Sequence, residues 1–221
     1  MESGIPEILL IDKPKGITSF DVIRRLRKKL NIRKMGHAGT LDPLATGLMI
    51  VGVGKGTKKL NEYIKLDKEY VAEIRIGEKR STGDMEGEVL EEKDVKNLEE
   101  KEVIKQLTKM KGVLTLPVSA YSAIKKDGIP MYKRARKAEA KGETIDNVPS
   151  RDMQVYEAEL LNLVCDDRRC VVTVRFHVGS GTYIRSLAEE LGKRLGYPAT
   201  LQNLRRTKVG NWSVEEAEVL V

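Results

Sequence analysis

The sequence is short of the residues on which metal and redox chemistry usually rest. It holds two histidines and two cysteines in 221 residues. His37, His177, Cys165 and Cys170 are the whole supply, and the spacing of the two cysteines spans a hairpin, so two further ligands would have to come from afar. A structural zinc site is not expected. Two cysteines are also too few for a disulfide framework, which fits a reducing compartment; they are expected as half-buried strand residues. No apolar stretch reaches the ~18 residues of a membrane helix. The first ten residues hold Pro6, Glu2 and Glu7, and their apolar run is too short for a signal peptide. The expected location is the cytoplasm. Internal repeats and low-complexity linkers are absent as well. Phosphate-loop chemistry has no support, because in Gly52-Val-Gly-Lys-Gly-Thr57 the lysine is followed by glycine and the glycine spacing misses the dinucleotide pattern. That segment reads as a turn at a strand end. Hydrolase chemistry is equally unsupported, since no Ser-His-Asp arrangement is suggested.

What the chain has in excess is positive charge. Forty Lys and Arg face 33 Asp and Glu, a net charge of +7. The charges are segregated. From Arg24 to Lys34 there are seven cations and no acid, from Lys125 to Lys141 seven cations against two acids, and from Lys193 to Lys208 five cations and no acid. Asp84 to Glu102, by contrast, holds nine acids and three lysines. Segregation of this kind predicts a basic face for an anionic partner, nucleic acid being the usual one, and an acidic solvated edge.

The apolar fraction of 40% suffices for a folded core. Glu7–Ile11 reads as a short strand. Thr18 and Asp21 have capping-box spacing, with Ile17 and Val22 as a hydrophobic staple. They open a helix whose buried stripe is Val22, Ile23, Leu26 and Leu30. Residues 31–47 form a Gly-rich ordered loop. Leu48–Val53 is an apolar strand, and a short helix is expected within Thr57–Leu66. Glu69–Ile76 alternates with period two. Val95–Met110 is expected to be helical, Ser119–Ile124 extended, and Met131–Lys141 a basic helix. Arg151–Cys165 and Arg169–Val178 make a strand pair. Thr182–Leu195 is a helix with Ile184, Leu187, Leu191 and Leu195 on one side, and Leu201–Val209 is a strand. Such irregular alternation with hairpin-length connections predicts an α+β domain with a largely antiparallel sheet.

One loop and one helix start stand out chemically. In His37-Ala-Gly-Thr-Leu-Asp42-Pro43, Asp42 reads either as a helix N-cap with Pro43 at the first helical position or as a carboxylate held for catalysis beside a buried strand. Arg185 falls in the first turn of its helix, where the helix dipole opposes a cation. It therefore needs water or a carboxylate partner, the carboxylate being either Glu189 four residues on or a distant loop Asp. Pairing with Arg favours the ionised form of a carboxyl group, which a nucleophile requires.

These residues belong to longer patterns. The stretch Gly36-His-Ala-Gly-Thr-Leu-Asp-Pro-Leu-Ala-Thr-Gly47 closely resembles the signature loop of TruB-type pseudouridine synthases. Asp12-Lys-Pro-Lys-Gly16 resembles that family's N-terminal motif, Asp67-Lys-Glu-Tyr70 its Lys-x-Tyr strand, and Ser122-Ala-Ile-Lys-Lys-Asp-Gly128 with Tyr132 and Ala135-Arg136 its middle motif. Gly181-Thr-Tyr-Ile-Arg-Ser-Leu187 and Leu204-Arg-Arg-Thr-Lys-Val-Gly210 resemble the late and closing motifs. All six run in family order. The resemblance implies one catalytic domain over residues 1–221, with a largely antiparallel mixed sheet flanked by helices and loops and an active-site cleft across it. It implies isomerisation of the T-loop uridine of tRNA without metal or cofactor.

By this resemblance Asp42 is the catalytic carboxylate, Arg185 its partner, and Tyr70 the residue that stacks on the target base. Tyr183 and Leu204 line the pocket, His37 enters the T loop, and Lys13 has a positioning role. The plain alternatives are core packing for Tyr70 and Leu204 and solvated loop charges for Lys13 and Lys15. The chain departs from the pattern in Leu116-Pro-Val-Ser-Ala120, which precedes a second Ser122-Ala123 where two prolines are usual. It ends soon after the closing motif, so no C-terminal PUA-type RNA-binding domain is expected. A stand-alone enzyme acting on the T arm of tRNA, with no guide RNA and no obligatory protein partner, is the expectation.

Overall fold

The computed structural model describes residues 4–119, 121, 124–126, 128–139 and 148–219. In chain order the strands are β1 Ile8–Lys13, β2 Met35–His37, β3 Thr46–Val53, β4 Lys68–Ile76, β5 Glu78–Arg80, β6 Val89–Glu92, β7 Gly112–Pro117, β8 Lys125–Lys126, β9 Ile129–Pro130, β10 Ser150–Cys165, β11 Cys170–Val178, β12 Ala199–Val209, β13 Trp212–Ser213 and β14 Glu218–Val219. The helices are α1 Ser19–Leu30, α2 Leu60–Lys65, α3 Glu100–Lys109, α4 Met131–Glu139 and α5 Ile184–Leu195.

Ten strands share one sheet in the order β14-β1-β3-β12-β4-β11-β10-β7, with β2 on β3 and β13 on β12. The β14–β1 and β12–β3 junctions are parallel, and the other pairs are antiparallel. The expected α+β class with a largely antiparallel mixed sheet therefore holds. No described helix is long and apolar enough to cross a membrane.

The main core lies on one face of the sheet. Tyr70, Ala72, Ile74 and Ile76 of β4 and Val172, Val174, Phe176 and Val178 of β11 point into it. They meet Ile184, Leu187, Ala188 and Leu191 of α5 and Val22, Ile23 and Leu26 of α1. A smaller cluster on the other side of β3 gathers Leu48, Ile50, Ala38, Val209 and Val214. With cover on both faces, β3 is apolar along its length instead of alternating.

A local signal placed the start of α1. Thr18 is the N-cap of α1 and forms a capping box with Asp21, and the helix stops at Asn31 in the left-handed conformation, with φ 54°. The predicted helix over Val95–Met110 begins only at Glu100: Val95 donates its N–H to the Arg168 carbonyl (2.9 Å), and Asn97 takes φ 53°, so this stretch belongs to the sheet rim. Residues 54–59 form a 3-10 turn ahead of the short α2. A Cβ at Gly56 would lie 2.0 Å from the Glu7 carbonyl oxygen, so the glycines after β3 permit close backbone approach, in keeping with a turn.

One expectation is overturned. Cys165 and Cys170 are joined by a disulfide, with Cα atoms 4.0 Å apart. The β10–β11 register sets them directly opposite each other at the hairpin end. Cys170 is buried and Cys165 exposed. The count of two, read as too low for a disulfide framework, lacked the register that pairs them, and it no longer argues for a reducing compartment.

Candidate active site

The segment from His37 to Thr46 has little regular structure between β2 and β3. Neighbouring side chains hold it instead. The Leu41 N–H donates to Ser19 Oγ (2.8 Å) and the Ser19 hydroxyl donates to the Leu41 carbonyl (2.9 Å). Lys13, 0% exposed, donates from Nζ to the carbonyls of Pro14 (2.9 Å), Ile17 (2.7 Å) and Pro43 (3.4 Å). The Gly16 N–H donates to the Pro43 carbonyl at 2.8 Å. Arg206, 1% exposed, donates to the carbonyls of Leu48 (2.7 Å) and Gly39 (3.3 Å).

Asp42 sits at the middle of this braced segment. It caps no α-helix. Its Oδ2 lies 3.2 Å from Arg185 Nη2, and their side chains are 39% and 7% exposed respectively. The carboxylate is thus open to a ligand while its partner is enclosed. Of the two carboxylates that sequence offered Arg185, the distant loop Asp is realised.

Arg185 is fixed from several sides. It donates to the Thr82 carbonyl (2.9 Å), Ser119 Oγ (3.0 Å) and the Tyr121 carbonyl (3.4 Å). Its Nη1 also lies 3.5 Å from Oδ2 of Asp84, whose side chain is 3% exposed. One guanidinium therefore ties together the Asp42 carboxylate of the loop, a buried carboxylate and the segment after β7. Sequence reading missed Asp84, which stood inside an acid-rich stretch that read as solvated.

A cavity of about 410 Å³ adjoins the loop, lined by Lys15, Gly16, Leu44, Met85, Glu86, Gln202 and Asn203. Lys15 spans it by donating to Asn203 Oδ1 at 2.6 Å, so it is a bridging residue, not a free loop charge. Burial, then the charges of Asp84 and Asp42, push the Glu86 carboxyl upward. Burial pulls the Lys13 ammonium down to about 8, against the opposing attraction of Asp42 and Glu86. His37 is also lowered, first by burial and then by the Arg206 charge, which favours a neutral imidazole. Among the described residues no group of three or more His, Cys, Asp or Glu could hold a metal ion.

The remaining predicted residues occupy neighbouring elements. Tyr70 is buried on the core face of β4, opposite Phe176 of β11 and Arg206 of β12. Leu204 is half-buried on β12, and its carbonyl accepts from Thr46 Oγ1 at 3.4 Å, at the downstream end of the Asp42 loop. Tyr183 is the N-cap residue of α5 and packs on the main core. His37 ends β2, opposite Val51. Ser122, Ala123 and Asp127 of the middle motif lie outside the described residues, as do residues 140–147.

Residues 27–184 match the model of the TruB family pseudouridylate synthase N-terminal domain. The chain belongs to the TruB family. The match includes Asp42 and Tyr70 and ends one residue before Arg185. The protein is 40% identical over 215 residues to tRNA pseudouridine synthase B of Corynebacterium glutamicum (strain R), covering 97% of this chain and 71% of that one. It is 42% identical over 216 residues to the protein of the same name from Leifsonia xyli subsp. xyli, covering 96% and 70%. Among solved structures it resembles a chain of a Cbf5-Nop10-Gar1 complex (TM-score 0.71, 28% identity, 96% of this chain and 52% of that one). It also resembles a chain of an H/ACA RNP bound to a substrate RNA containing 2′-deoxyuridine (TM-score 0.68, 27% identity, 96% and 50%). The family member described here thus spans about 70% of those curated relatives and about half of those structurally similar chains.

Proposed function

We propose that this pseudouridylate synthase isomerises the T-loop uridine at position 55 of tRNA, with Asp42 as the catalytic carboxylate. The observation that carries this reading is the pairing of a ligand-accessible Asp42 with an enclosed Arg185 at 3.2 Å, in a loop braced on all sides. An acceptor carboxylate fixed in this way needs no rearrangement to meet a reacting carbon.

In the isomerisation the C1′–N1 bond of uridine breaks, a C1′–C5 bond forms, the C5 hydrogen leaves as a proton and N1 gains one. The Asp42 carboxylate supplies the electron pair that assists glycosidic cleavage, whether it adds to ribose, adds to uracil or assists glycal formation. Arg185 orients it. A target base inside a loop must be flipped out, at a cost of a few kcal/mol. Stacking on Tyr70 offsets part of this, at ~1–3 kcal/mol per base. Tyr183 and Leu204 line the base pocket, neutral His37 enters the T loop, and Lys13 positions the Asp42 loop through Pro43.

Residues 1–221 act as one catalytic unit in this reading, on tRNA in the cytoplasm, without metal, cofactor, guide RNA or obligatory protein partner. A second reading is favoured by the solved neighbours, which are parts of larger assemblies: the enzyme would then act only with partners. Purified protein with a T-arm hairpin carrying 5-tritiated uridine separates the two. Tritium release by wild type and none by Asp42→Asn supports the first reading. Binding without release by wild type sinks it in favour of the second.

A further inference from the structure

Below the Asp42 loop lies a buried charge without a task in the reading above. Arg206 is 1% exposed, among the largest fully buried side chains. Its polar partners are two backbone carbonyls, Leu48 (2.7 Å from Nε) and Gly39 (3.3 Å from Nη2), and no carboxylate among the described residues pairs with it. The titrating groups on which its charge is felt are themselves cationic or basic: Lys13, Lys68 and His37. A buried, unpaired cation is costly, and an apolar side chain of similar length would avoid the cost. What arginine alone offers is a rigid fork of donors that can reach carbonyls on two different elements.

The place of those carbonyls gives the charge a purpose. Gly39 precedes Asp42 and Leu48 follows it, so the guanidinium closes the base of the catalytic loop. The backbone makes the same junction tight: a Cβ at Gly47 would lie 2.2 Å from the Arg206 carbonyl oxygen. Gly39 takes φ +90°, and a Cβ there would be 3.4 Å from Arg206 Nη1. Both glycines leave room for this one residue.

We propose that Arg206 is a positioning residue for the isomerisation, a clamp across the base of the loop that holds Asp42 at the Arg185 guanidinium. The proposal rests on the reading of Asp42 as the catalytic carboxylate. Misplacement of a catalytic group by about 1 Å costs roughly 100-fold in rate. Lysine would keep the charge but lose the fork.

Arg206→Lys and Arg206→Met in the full chain test this by two readouts. The first, without RNA, is amide hydrogen exchange over residues 38–48. Exchange about tenfold faster in both variants, with α5 and β4 unchanged, is expected. The second is single-turnover tritium release from the T-arm hairpin. A rate about 10–100-fold lower with KM moved by under about threefold is expected. Arg206→Lys carries the comparison if Arg206→Met does not fold. Wild-type exchange over 38–48 in Arg206→Lys overturns the clamp, as does a rate loss that merely follows loss of RNA affinity. A loosened loop in the variants together with a wild type that releases no tritium upholds the clamp and overturns the stand-alone T-arm reading instead.

Discussion

Ser19 and Leu41 share one hydroxyl in both directions: Ser19 Oγ accepts from the Leu41 N–H at 2.8 Å and donates to the Leu41 carbonyl at 2.9 Å. The first residue of α1 is thereby pinned to the residue before Asp42. Ser19→Ala leaves a buried donor and a buried acceptor unmade, each at ~1–3 kcal/mol. We expect the urea midpoint to fall and single-turnover release to slow by roughly tenfold or more. Unchanged turnover in a folded Ser19→Ala would show that the pin is irrelevant to catalysis.

Lys13 gives opposite signs for activity and stability against pH. Burial holds its folded value at about 8, below the ordinary lysine value of 10.5. Between these values the unfolded chain binds more protons, so Lys13 makes stability rise with pH across that window; below about 8 both states are protonated and the burial cost is felt in full. Lys68, lowered by burial to about 8, acts in the same direction. Activity should run the other way, since deprotonation removes one of the donors with which Lys13 grips Pro14, Ile17 and Pro43. A basic limb near pH 8 is expected in the rate, displaced upward in Lys13→Arg. The same limb in Lys13→Arg would exclude Lys13 as its source.

The disulfide should matter for stability and not for turnover. Cys170 lies opposite Ile76, whereas Phe176, opposite Tyr70, is six residues along β11, or ~20 Å. Opening so short a loop by Cys165→Ser is expected to cost ~2 kcal/mol in urea denaturation. A change in turnover beyond about twofold would contradict this separation.

The exposed cations of α1 supply the electrostatic arm of RNA binding in this reading. Arg25, Lys28 and Lys29 are exposed and enter no ion pair among the described residues, while Arg24 pairs with Asp21. Replacing the three with Gln should flatten the slope of log K against log salt by about 3, roughly 1 per cation. Equal slopes would move the RNA path away from α1.

What was legible in the sequence was local or chemical. Thr18 and Asp21 sit three residues apart, so their capping box needs no tertiary partner. Arg185 was legible because a cation in a first helical turn is an electrostatic conflict, and such a conflict asks for a carboxylate. Asp84, Ser19 and Arg206 were not legible, since their roles arise only where elements far apart in the chain meet. Asp84 was hidden by the acids around it, and Arg206 by the Lys193–Lys208 run in which it stands, which read as part of a basic face. The Cys165–Cys170 bond depended on register, which spacing alone did not supply.

The parallel β12–β3 junction pairs Arg205 and Arg206 with Thr46 and Gly47. Its consequence concerns time. β12, residues 199–209, lies between β3 and β4, which are complete by residue 76. Until that late segment is synthesised and inserted, β3 and β4 are open edges and the Asp42 loop lacks its Arg206 anchor. Such a distant pairing forms slowly, because the loop entropy is lost before the contacts are gained. A nascent chain therefore exposes its signature loop long before β12 can close it, and in this reading competence to act on RNA waits for that strand.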